Sequence, residues 1–92
     1  MANIKLRRSN KKISIKILFF AYAKEIVNKN YLNLKVNNIT NVKEVLEKLY
    51  IDYPDLKKIN FSVALNNEYI NDYEIILKNK DVISIIPPVS GG

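Results

Sequence analysis

A chain of 92 residues, 48% hydrophobic and 26% charged, suits one small folded domain and is too short for two. It has no Cys and no His, which excludes disulfides, thiolate nucleophiles, Cys/His zinc sites and imidazole acid–base catalysis. Its formal charge of +6 is unevenly placed: Lys5, Arg7, Arg8, Lys11 and Lys12 stand in residues 1–12 with no acidic residue, while the rest of the chain holds 10 basic and 9 acidic side chains.

Residues 1–12 read as a loose basic extension. No aromatic or base-reading constellation accompanies their charge, so a nucleic-acid partner is not expected, nor is a membrane. Residues 13–20 alternate in polarity and predict a strand, with Ile13, Ile15, Ile17 and Phe19 on one face. Ser14, Lys16, Leu18 and Phe20 take the other face, which turns apolar towards its end. The apolar run 17–20 followed by Ala21-Tyr22-Ala23 imitates a secretion signal. It is short and strand-like, and nothing approaches the length of a bilayer span, so a cytoplasmic protein is expected.

A short helix is predicted over Ala21 to Val27, closed by the turn Asn28-Lys29-Asn30, and a second strand over residues 31–36. Asn41 offers an N-cap with Glu44 at N3, the capping-box spacing. Behind it Val42, Val45, Leu46, Leu49, Tyr50 and Tyr53 recur at helical intervals as a core stripe, and Pro54 ends the helix. A third strand over residues 61–65 turns at Asn66-Asn67 into a short strand over 68–70. Asn79-Lys80-Asp81 turns into a last strand, Val82 to Ile86, with Ile83 and Ile85 on one face and Val82, Ser84 and Ile86 on the other.

Strand, strand, helix, then strands predicts an α+β fold of the ubiquitin-like, β-grasp type: a mixed sheet with one main helix packed on one face. The body spans residues 13–86 and a tail spans 87–92. First and last strands would be parallel neighbours, bringing Phe20 and Ile86 together on the face the helix leaves bare. With Leu18, Val82 and Tyr69 adjoining, that face reads as a partner surface.

The chain's only two glycines are Gly91 and Gly92, at the end of Pro87-Pro88-Val89-Ser90-Gly91-Gly92. The prolines fix φ and cannot continue a ladder, so they aim the chain out of the sheet. Val89 and Ser90 give reach. Gly91 and Gly92, lacking Cβ, are thin enough to enter a narrow channel and present the α-carboxylate of Gly92. A carboxylate becomes an acyl donor only after activation, typically as an acyl-adenylate. Without His, Cys or a nucleotide-binding loop, the chain leaves ATP and the catalytic side chains to another protein, and no cofactor of its own is expected.

Over residues 13–92 the sequence resembles the MoaD family, the small subunits of molybdopterin synthase. The resemblance rests on Ile17-Leu18-Phe19-Phe20-Ala21-Tyr22-Ala23-Lys24-Glu25, on Ala64-Leu65-Asn66-Asn67 and, most specifically, on Ile86-Pro87-Pro88-Val89-Ser90-Gly91-Gly92. It implies a carrier subunit that is not catalytic alone. An adenylating enzyme of the ubiquitin-activating type charges Gly92, and a sulfur donor converts it to a thiocarboxylate. The tail then inserts into the large synthase subunit, in a heterotetramer, and passes sulfur to the cyclic pyranopterin precursor during molybdenum cofactor synthesis. Two transfers build the dithiolene. Phe20, Tyr69 and Ile86 match the family's apolar contact face.

Three departures stand out. The family's Gly-Asp before the last strand is Lys80-Asp81 here, implying a different turn geometry or some strain. Tyr69 and Ile86 replace commoner Leu and Phe, and the arm at 1–12 has no family counterpart. Alternatives on the same end are a sulfur carrier for thiazole synthesis and a ubiquitin-like modifier joined through Gly92 to a lysine. A third is a binding module using the basic arm.

Overall fold

A computed structural model describes residues 11–88. The basic arm through residue 10, and Val89, Ser90, Gly91 and Gly92, lie outside the described residues. The order of elements is β1 (Lys12–Phe19), α1 (Ala21–Val27), β2 (Tyr31–Asn37), α2 (Val42–Asp52), a 3-10 helix (Pro54–Lys58), β3 (Ser62–Leu65), β4 (Glu68–Ile70) and β5 (Val82–Ile86). The five strands form one mixed sheet in the order β2-β1-β5-β3-β4. Strands β1 and β5 run parallel, with Ile17 opposite Ile83 and Phe19 opposite Ile85, and every other pairing is antiparallel. This is the β-grasp arrangement expected from the sequence.

The alternation in β1 sorts its side chains as predicted. Ile15, Ile17 and Phe19 are buried beneath the helices with Ile83, Ile85 and Val63, while Ser14 and Lys16 are exposed. Helix α2 lays Val42, Val45, Leu46 and Leu49 onto that inner face. Its start is the predicted capping box: the Glu44 N–H donates to Asn41 Oδ1 at 2.8 Å, and the Asn41 N–H donates to Glu44 Oε1 at 3.0 Å. Helix α1 closes on Asn28, whose φ of 62° is an αL cap with its N–H donating to the Lys24 carbonyl.

Several boundaries differ from expectation. Strand β1 begins at Lys12, inside the span read as loose extension, because its backbone pairs across to Asn37 and the Asn38 N–H donates to the Lys11 carbonyl. Strand β2 runs on to Asn37 for the same reason, and β3 starts at Ser62 rather than at 61. Phe20 is not the last residue of β1. It caps α1 with an extended backbone, φ −120° and ψ 153°. Pro54 does end α2, and it also opens the 3-10 helix, which buries Leu56. Residues 73–77, unassigned from sequence, lie along the start of α2. The carbonyls of Tyr73 and Ile75 accept from the Lys43 and Val42 N–H groups, and Leu77 is buried.

Candidate functional site

The site lies where β5 leaves the sheet. Its flanking neighbours β1 and β3 hold β5 on both sides, so the direction in which residue 87 departs is set by the central strand of the sheet. Pro87 is buried and Pro88 exposed. Neither can donate to a ladder, so pairing stops at Ser62 opposite Ile86. Beside them lies an open, mainly apolar groove of about 550 Å³, formed by Ala21, Tyr22 and Glu25 of α1, Ile59 and Asn60 after the 3-10 helix, and the two prolines.

The bare face of the sheet carries the predicted contact residues. Strand registers set one row across it, Tyr31, Leu18, Ser84, Ala64 and Tyr69. Ser84 and Ala64 are small and buried in the middle, and aromatic rings stand at both ends. Ile86 sits one step nearer the tail, half-buried, opposite Ser62. The Phe20 N–H donates to the Ile85 carbonyl at 3.2 Å, which sets Phe20 beside Ile86 as expected. Phe20 is 44% exposed and Tyr69 70% exposed, a cost the isolated chain bears without return.

So the structure brings Phe20, Tyr69 and Ile86 onto one face, and Pro87 and Pro88 leave the sheet beside it, against the α1 groove. Val82 is set further back, opposite Lys16. Tyr31, 48% exposed, belongs to the same face and escaped sequence reading. Its signal was available, since the antiparallel pairing of β1 and β2 sets Tyr31 opposite Leu18. Ala21, between Phe20 and Tyr22, has a φ of 51°, a conformation that costs an alanine about 1 kcal/mol or more. Such strain persists where the surroundings over-determine it, and here it lies between the apolar face and the groove.

Chemically the described part of the site offers an exposed apolar face and a fixed exit for the chain. No cluster of three or more Asp or Glu that could hold a metal occurs among the described residues, and none of their helices is long and apolar enough to cross a membrane. The chain offers neither Cys nor His to this site.

Comparison with known proteins agrees with this geometry. The model of the ThiS family matches residues 17–92. The molybdopterin synthase sulfur carrier subunit of Arabidopsis thaliana is 37% identical over 82 residues, covering 87% of this chain and 84% of the relative. That of Dictyostelium discoideum is 39% identical, covering 84% and 94%. Among solved structures, the complex of subunits 1 and 2 of the molybdopterin-converting factor from Helicobacter pylori contains a chain that superposes with a TM-score of 0.62 at 27% identity, covering 87% of this chain and all of that one. Sequence, fold and tail together assign the chain to the ThiS family and, within it, to the molybdopterin synthase sulfur carrier subunits.

Proposed function

We propose that this chain carries sulfur on the α-carboxylate of Gly92 and delivers it within a molybdopterin synthase. The observation that carries the reading is the coupling of a Pro87-Pro88 exit from β5 to an apolar face at the same edge of the sheet. A tail that must enter another protein needs both a guide and a dock. The family match, which runs through residue 92, supports the same roles for Val89, Ser90 and Gly91 as reach and Gly92 as the charged end.

The chemistry follows from the carboxylate. Its oxygen attacks the α-phosphorus of ATP held by an adenylating partner, and pyrophosphate leaves. A sulfide-level sulfur nucleophile then attacks the acyl carbon and AMP departs, leaving a thiocarboxylate; a donor that attacks as a persulfide leaves an acyl disulfide, which a thiol reduces to the same thiocarboxylate. Docked through Phe20, Tyr69 and Ile86, the chain inserts its tail into the large subunit. There the thiocarboxylate sulfur bonds to a carbon of the pyranopterin precursor as an oxygen substituent leaves that carbon, and water then cleaves the acyl–sulfur bond, which restores the carboxylate at Gly92 and leaves the sulfur on the precursor. The need for ATP at the adenylating step fits a cytoplasmic protein.

Intact mass of the protein from its own cells tests the reading. A sulfur-for-oxygen increment at Gly92 is the expected result. A carboxylate that stays unmodified with an adenylating enzyme and sulfur source present would overturn it. Appending one residue after Gly92 abolishes transfer and leaves the fold intact. A ladder of isopeptide conjugates that disappears on deleting Gly92, without any thiocarboxylate, would point to a modifier instead.

A further inference from the structure

The bare face of the sheet has two halves, and the second is basic. Beyond the Tyr31–Leu18 row, the outward positions of β1 are Lys16, Ser14 and Lys12, and those of β2 are Asn33 and Lys35. Register pairs Asn33 with Lys16 and Ser14 with Lys35, so Lys12, Lys16 and Lys35 are diagonal neighbours on one surface. Lys80 joins them: with Lys16, Ser14, Asn33 and Val82 it lines a shallow notch of about 270 Å³. Among the described residues no ion pair engages any of these four lysines, and no acidic residue occupies an outward strand position of this face.

That segregation is not a general habit of this lysine-rich chain. On α2, Lys43 and Lys48 alternate with Glu44, Glu47 and Asp52, and Lys48 Nζ lies 3.9 Å from Asp52. In the 3-10 helix Lys58 Nζ lies 3.2 Å from Asp55. Elsewhere charges are mixed; here they are of one sign. Clustered like charges repel at a cost to the folded state, and a partner of opposite charge on this face would offset it.

The basic half is continuous with the apolar dock. At about 3.3 Å per residue, Lys16 stands roughly 7 Å from Leu18 along β1, and Lys12 about 20 Å. The Lys16 ammonium sits 4.9 Å from the centroid of the Tyr31 ring, so a single cation–π contact joins the first lysine to the last aromatic of the apolar row. A partner broad enough to cover Tyr69, Ile86, Phe20 and Tyr31 therefore reaches the lysines without leaving the sheet.

We infer that Lys12, Lys16, Lys35 and Lys80 form the second half of the dock and receive an acidic segment of the large synthase subunit. The inference rests on the reading of the apolar face as that subunit's docking surface. The lysines act at the rim, so their part is to speed encounter and fix orientation, while the apolar half supplies most of the lifetime of the complex.

The test measures binding of the full chain to its cognate large subunit at ~0.1 M and ~1 M salt, where charges are screened beyond about 10 Å and about 3 Å respectively. The triple variant Lys12→Glu, Lys16→Glu, Lys35→Glu should lose about tenfold or more in association rate at the lower salt, with dissociation little changed. At the higher salt the two proteins should converge. Reversing carboxylates on the large subunit to lysine should restore the rate of the triple variant. A triple variant that associates as fast as the parent, with the same salt dependence, would overturn the acidic-partner inference and leave the sulfur-carrier reading standing. A variant that loses only binding to duplex DNA would overturn it in the same way. Failure of the parent chain to bind the large subunit at either salt would instead sink the reading on which the inference rests. Far-UV circular dichroism and thermal midpoint confirm that the variant is folded, which the exposure of all three lysines leads one to expect.

Discussion

Lys80 sits at a φ of 74°, in the left-handed region that glycine enters freely and a side chain with a Cβ does not. The conformation is enforced from both sides. The Lys80 N–H donates to the Ser14 carbonyl at 2.6 Å, and the next N–H, of Asp81, donates back to the Lys78 carbonyl at 3.1 Å. Backbone strain is thus a consequence of carrying a lysine at position 80. Asn28, Asn66 and Asn67 also have positive φ, but asparagine tolerates it, and at 66 and 67 the pair was legible as a turn in sequence. Replacing Lys80→Gly should therefore stabilise the fold by about 0.5–1 kcal/mol, the relief of a side chain in αL less the added freedom of glycine when unfolded. Chemical denaturation checks it: a midpoint that stays put or falls would show that this turn is not strained. Ala21, the other non-asparagine with positive φ among the described residues, could not be read from sequence, since nothing in Phe20-Ala21-Tyr22 marks a break in a helix start.

At the scale of elements, the turn preceding β5 is stapled to the turn joining β3 and β4. Asn66 donates its Nδ2–H to Asp81 Oδ1 at 2.9 Å, and its Oδ1 accepts from the Val82 N–H at 2.8 Å. Asp81 Oδ2 accepts from the Lys78 N–H at 2.8 Å, and Asp81 is buried. Two turns far apart in the chain thus fix where β5 begins, and with it where the tail leaves. Asp81→Ala leaves the Lys78 N–H and the Asn66 amide unpaired in a half-buried setting and should cost about 1–3 kcal/mol. Urea titration of the variant measures this, and a loss below about half a kcal/mol would show that water replaces the carboxylate. This staple explains part of what sequence reading could not reach. Strands β1 and β5 and helix α2 declared themselves through local patterns: alternation in 13–19, a capping box at Asn41 and Glu44, a stripe from Val42 to Leu49. Residues 71–78 have no such period, because their order comes from bonds to Thr40, to the start of α2 and to Asp81. The 3-10 helix at Pro54–Lys58 was hidden for a related reason, since only its Leu56 reaches the core.

At the scale of the molecule, the sheet divides labour between its faces. The inner face holds the core, in which Leu49, Leu56, Ile17, Ile83 and Ile85 are all but inaccessible. The outer face holds the proposed dock, whose rings at Phe20 and Tyr69 are exposed. This division was legible for Phe20, Tyr69 and Ile86 because one β-grasp register places them together, and incompletely so for Tyr31 and the lysines, whose company depends on pairing between strands. It also makes stability and docking separable. Leu49→Ala removes a fully buried side chain from α2 and should cost about 2–5 kcal/mol, enough to threaten a domain of this size. Phe20→Ala combined with Tyr69→Ala removes two exposed rings and should shift unfolding free energy by less than about 1 kcal/mol. The same pair should weaken the complex with the large subunit by about 2 kcal/mol or more, since aromatic anchors near an interface centre carry a disproportionate share of binding energy. Calorimetric titration beside a thermal melt reads both quantities from one preparation. A double variant that melts early and binds well would place Phe20 and Tyr69 in the fold rather than the dock, and the outer face would then have to be understood as structure that happens to be bare.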